Sequence, residues 1–106
     1  MPEFLYRLLP ARPAMLTDGP TPEERAAIAA HFAYLQELAA AGVVLLFGRT
    51  QTTGPETFGI VIFRAESADA AHRIMADDPA VQARVMRAEV FPFRIAGGGP
   101  GFPALA

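Results

Sequence analysis

Few side chains in this sequence can move a proton near neutral pH. It holds two histidines and no cysteine, and an unperturbed imidazole titrates near ~6.5, within reach of either protonation state. His31 is the better placed of the two. It stands three residues after Ile28 and four before Leu35, on the apolar stripe of a helical pattern. A ring turned toward a core is either a histidine with its polar edge satisfied or a general acid–base. Asp78 is the carboxylate best able to fix its tautomer. Asp78 also precedes Pro79, a common helix start. The two roles are compatible, since one oxygen can cap while the other meets an imidazole. Gly48-Arg49 closes an apolar run; Arg49 is either a solvated strand-end arginine or a cation for a carboxylate or phenolate. Tyr6 and Arg7 leave one strand on opposite faces, and the pattern does not say which faces a pocket.

Other chemistries lack their residues. His72 follows Ala71 by one position and falls off its helix's core stripe. No H-x-x-x-H or E-x-x-H spacing occurs, so no metal site is expected. The run Gly97 to Gly101 has neither the Lys-Ser/Thr nor the following helix of a phosphate loop, and Ser67 is a helix cap without triad partners. No cofactor is expected.

The elements that must position these residues are well marked. The pattern predicts a long helix from Thr21 to Gly42. Thr21 caps it, Pro22 costs no hydrogen bond there, Glu24 stands at capping-box spacing, and Gly42 ends it. Its predicted apolar stripe is Ile28, Phe32, Leu35 and Leu38. Strands are expected over Glu3–Leu9, Val43–Phe47 and onward to Thr50, Thr57–Arg64 and Met86–Ile95. Pro92 puts the last of these at an edge or a bulge. Ser67 caps a second helix to about Ala76, and a short helical turn follows over Pro79–Arg84. The proline-rich connection from Pro10 to Pro20 reads as a stiff surface segment or a binding loop.

The order β-α-β-β-α-β gives an α+β, ferredoxin-like protomer: one four-stranded antiparallel sheet with its helices on one face. A single domain over residues 1–95 and a Gly/Pro-rich tail over 96–106 are expected. Both alternating sets of the second strand are apolar, as are those of the third. An apolar face left open by the helices marks an interface, so sheet-to-sheet pairing into a homodimer is expected, a dimeric α+β barrel. The alternative is a monomer whose tail covers the sheet.

Composition narrows the partners. With 106 residues and a net charge of -2, the chain has no basic stripe for nucleic acid. It has no apolar run near ~20 residues to cross a membrane. Without a basic-then-apolar leader, a cytoplasmic protein is the expectation.

The pattern H-F-A-Y-L-Q-E-L-A-A-A-G-V-V-L-L-F-G, then A-D-D-P, then V-F-P-F-R-I, resembles the YCII-related family over nearly the whole span Glu3 to Ile95. The resemblance implies a ferredoxin-like protomer, assembly as a dimeric α+β barrel, and a His–Asp pair between helices and sheet, at His31 and Asp78. Members include a dehydrochlorinase of a chlorinated hydroxyhydroquinone, and muconolactone isomerases share the wider fold. Members often show Gly-Pro where this chain has Gly48-Arg49; Gly48 matches and Arg49 departs, so the resemblance carries over no particular member's substrate. The resulting expectation is acid–base chemistry of a lyase or isomerase type on a small organic molecule. Its rival is a non-catalytic dimeric module that binds a small ligand or meets a partner protein at its surface.

Overall fold

The computed structural model describes residues 1–100. Strand β1 (Glu3–Pro10) leads through a short helix α1 (Ala14–Thr17) into the long helix α2 (Pro22–Ala40). Strands β2 (Val44–Arg49) and β3 (Gly59–Arg64) follow, then helices α3 (Ala68–Ala76) and α4 (Pro79–Gln82), and strand β4 (Met86–Phe93). The sheet is antiparallel in the order β2-β3-β1-β4. This is the ferredoxin-like α+β arrangement, with β1 and β3 central.

Local chemistry accounts for the elements. Thr21 accepts from the Glu24 backbone N–H while the Glu24 carboxylate accepts from the Thr21 N–H, a complete capping box. Gly42, at φ 80°, takes the left-handed turn out of α2 at no steric cost. Pro92 sits opposite Phe4 on edge strand β4, where its missing N–H leaves no ladder bond unmade.

The core lies between the sheet and its helices. Phe4, Tyr6 and Leu8 of β1 and Val61 and Phe63 of β3 point into it, against Leu35 of α2 and Ala71 and Met75 of α3. Full burial of a side chain such as Leu35 or Phe63 contributes roughly 1.5–3 kcal/mol. Three expectations need correction. Phe32 is half-exposed rather than core, because it stacks edge-on against Phe47 beside a cavity instead of filling the sheet interface. The proline-rich connection contains α1, whose Met15 packs on Ala27 and Val85 in a second small core. Val44 and Leu46 do not share one face as strict alternation along β2 expects: a bulge between them turns Leu46 onto the open side of the sheet, where it is exposed. The tail over 94–100 has no regular structure, though the Ile95 N–H reaches the Glu3 carboxylate. Phe102 and Leu105, the tail's apolar residues, lie outside the described residues.

Candidate active site

Helix α4 packs against α2, and this carries Asp78, the residue capping α4, to the middle of the longer helix. Asp78 is wholly buried, and each of its oxygens is engaged. The Ala80 backbone N–H donates to Oδ1 at 2.9 Å, which is the cap itself. The Tyr6 hydroxyl donates to Oδ2 at 2.7 Å from the central strand. His31 Nδ1 lies 2.8 Å from Oδ1 and 2.7 Å from Oδ2. A carboxylate only accepts, so Nδ1 carries the hydrogen and Nε2 is the nitrogen left for another partner. Burial and the adjacent carboxylate raise the Tyr6 hydroxyl far above the ordinary tyrosine range, so it stays a donor at any accessible pH.

His31 lines a cavity of about 350 Å³ between α2 and the helix-facing side of the sheet. Its walls are mostly apolar, with Leu8, Ile28, Leu35 and Val61 at the sides and Phe32, Phe47 and Phe58 beside them. This is the size and character of a small-molecule site. Gly48 and Arg49 line it from β2. Arg49 pairs with Gly59 across the ladder. Gly48 lies opposite Ile60, in register with Arg7 on the open side of the sheet, and a Cβ built on it would meet nothing within 4 Å, so its backbone rather than a missing side chain borders the cavity.

The structure therefore gathers His31, Gly48 and Arg49 around one cavity, with Asp78 behind His31. Arg7 is elsewhere: it lies on the open sheet face and pairs with Glu89 at 2.9 Å. Tyr6 faces the helices, and the sequence left its side undecided because β1 is apolar on both faces. His72 is exposed on α3. Among the described residues, no group of three or more His, Cys, Asp or Glu is placed to hold a metal ion, and no helix is long and apolar enough to cross a membrane.

The profile of the YCII-related domain matches residues 4–94. The chain belongs to the YCII-related family. Among solved structures it is similar to TftG, the 5-chloro-2-hydroxyhydroquinone dehydrochlorinase of Burkholderia phenoliruptrix AC1100 in complex with 2,5-dihydroxybenzoquinone. That match has 26% identity and a TM-score of 0.64, over 87% of this chain and 93% of that one. It is also similar to SnoaB, a cofactor-independent oxygenase of Streptomyces nogalater. There the identity is 17% and the TM-score 0.50, over 94% of this YCII-related chain and 99% of the other, a likeness of fold. No curated protein sequence matches.

Proposed function

We propose that this YCII-related chain is a small enzyme that moves a proton on a small ring compound without a cofactor. His31 is the general acid–base, and Asp78 orients it. One observation carries the reading. The imidazole that lines an apolar cavity is held by Nδ1 against both oxygens of a fully buried carboxylate. This frees Nε2 to take a proton from an acidic C–H or O–H of an occupant. The electron pair left behind either expels a leaving group from a neighbouring carbon, a lyase step, or shifts along the ring. In the second case the imidazolium returns the proton to another atom, an isomerase step. Arg49 would meet an anionic substituent, and the backbone of Gly48 would border the ring. The 26% identity to a dehydrochlorinase supports the first form.

The working unit in this reading is a homodimer joined through the open sheet face. That face exposes Leu46, Phe91 and Phe93, the kind of apolar set that a second copy would cover. It also carries the half-exposed Arg7–Glu89 pair, which a second copy would cover with the apolar residues. Sedimentation should give about twice the chain mass of 11.3 kDa.

The direct test is chloride release from 5-chloro-2-hydroxyhydroquinone. His31→Ala should lower turnover by roughly 10²–10⁴-fold with the circular dichroism unchanged. Unchanged turnover in that variant would overturn the assignment. Absent turnover in the wild type, with ring compounds still bound, would make the chain a binding module.

A further inference from the structure

Besides Glu24 and Asp78, the polar side chain buried in the described core is Thr57, 4% exposed. Glu24 is taken by Arg12 and Asp78 by the groups around His31. Thr57 belongs to neither set, yet it lines the cavity. Its hydroxyl is the inner end of a chain of three. Thr57 Oγ1 is 2.6 Å from Thr52 Oγ1, which is 2.8 Å from Thr50 Oγ1. The Phe58 backbone N–H donates to Thr50 Oγ1 at 3.1 Å. The loop is pinned by the Thr50 N–H to Phe58 O and the Thr57 N–H to Gly54 O, at 2.9 and 3.1 Å.

We propose that Thr57, fed by Thr52 and Thr50, forms with Arg49 a polar subsite that takes an anionic oxygen of the ring substrate, a phenolate, enolate or ring carboxylate. This deepens the reading of the cavity as a substrate site and rests on it. Each hydroxyl brings one hydrogen and two lone pairs. Two links consume two hydrogens, and the third is left at one end, or on Thr52 where that hydroxyl accepts from both neighbours. If donation runs inward, from Thr50 through Thr52, the spare hydrogen belongs to Thr57 and is offered to the cavity. If it runs outward, Thr50 accepts twice and keeps the spare hydrogen itself. Both senses satisfy the lone pairs, so the occupant selects between them. An anionic oxygen selects the inward sense. Arg49 adds a fixed positive charge on the same wall, two residues of ladder away from Thr57, through its partner Gly59. In a cavity this apolar, one charge-assisted hydrogen bond discriminates strongly against a neutral ring.

The test is calorimetric titration at pH 7 with 2,5-dihydroxybenzoquinone, whose ring oxygens ionise, and with hydroquinone, which is neutral there. Thr57→Val keeps the volume and removes the hydroxyl. It should weaken the ionised probe about 10-fold, the scale of a lost hydrogen bond to a charged group, and hydroquinone less than about 2-fold. Thr57→Ser should restore the affinity. Equal affinity of Thr57→Val and wild type for the ionised probe would overturn the subsite while leaving the ring site standing. Failure of the wild type to bind either probe would overturn the ring site and the subsite with it. Should Thr57→Val not fold, Thr52→Val decides. It removes the hydroxyl that orients Thr57 and should weaken the ionised probe by about 3-fold; an unchanged affinity overturns the proposal.

Discussion

Glu24 and Asp78 are both buried carboxylates at helix starts, and they live in opposite company. Glu24 meets a guanidinium: Arg12 Nε donates to Oε2 at 2.9 Å and Arg12 Nη2 to Oε1 at 2.6 Å, and the Thr21 N–H completes the capping box. A guanidinium does not give up its proton and the Glu24 carboxyl is held down, so this pair keeps one charge state around neutral pH. It holds the connection after β1 against the start of α2 and can do nothing else. Asp78 meets a phenol, a backbone N–H and an imidazole. An imidazole can both hold and release a proton, and this one opens on a cavity. What separates architecture from a candidate site here is the proton mobility of the partner, since burial and hydrogen-bond count are similar in the two places.

The comparison can be broken most sharply at Asp78. Asp78→Ala strands the Tyr6 hydroxyl and the Ala80 N–H in a dry core and unseats His31. At ~1–3 kcal/mol for each unsatisfied group, the loss should be on the order of 3 kcal/mol in urea denaturation. Asp78→Asn keeps the shape and one acceptor, and should cost less stability while still removing the charge that orients His31. If Asp78→Asn turned over substrate like the wild type, the pair would be no more than a cap and a neighbour. Tyr6→Phe is next. It takes one donor from a buried charged group, worth roughly 1.5–3 kcal/mol, and keeps the ring against Phe63. As a positioning residue acting through Asp78, Tyr6 should affect kcat while KM stays near wild type. A change in KM alone would mean that Tyr6 shapes the cavity instead.

How much of this was legible beforehand follows from where each signal is local. The ends of α2 are written in Thr21, Glu24 and Gly42, and the strands in β-branched and aromatic runs, so the element order can be read directly. His31 announces itself by standing between Ile28 and Leu35. Its approach to Asp78 spans 47 positions and becomes readable only once α4 is known to cross α2. Tyr6 was ambiguous because Leu5, Leu8 and Leu9 make both faces of β1 apolar; register against β3, with Tyr6 opposite Val61, decides it. The helix α1 has four residues among prolines, too few to show a period. The hydroxyl chain was hidden for another reason. Thr50, Thr52 and Thr57 are ordinary loop residues until the turn through Gly54 folds them onto one another.

The smallest effects, and the cleanest contrast, lie at the extremes of pH. Arg12 and the Thr21 N–H hold the Glu24 carboxyl down at about 2, against an ordinary 4.5. A carboxyl with a depressed folded value stabilises the fold above its unfolded value and loses that contribution as pH falls. Glu24 therefore weakens the fold across the window from 4.5 down to 2, and Glu24→Gln should flatten thermal stability against pH there. The Asp78 region fails at the other end. Tyr6 is pushed up from 10.0 by burial and by Asp78, so its contribution is complete below that value and declines as pH rises past it. Tyr34, which donates to the Ile74 carbonyl and is raised to about 12 by burial, adds to the same alkaline loss. Tyr6→Phe should remove part of the alkaline slope and leave the acid slope alone, while Glu24→Gln does the reverse and leaves turnover near neutrality untouched. Melting curves of the two variants from acid to base would separate them. An acid slope unchanged by Glu24→Gln would mean that the Arg12 pair is solvated and contributes nothing, and the two carboxylates would then differ in burial as well as in company.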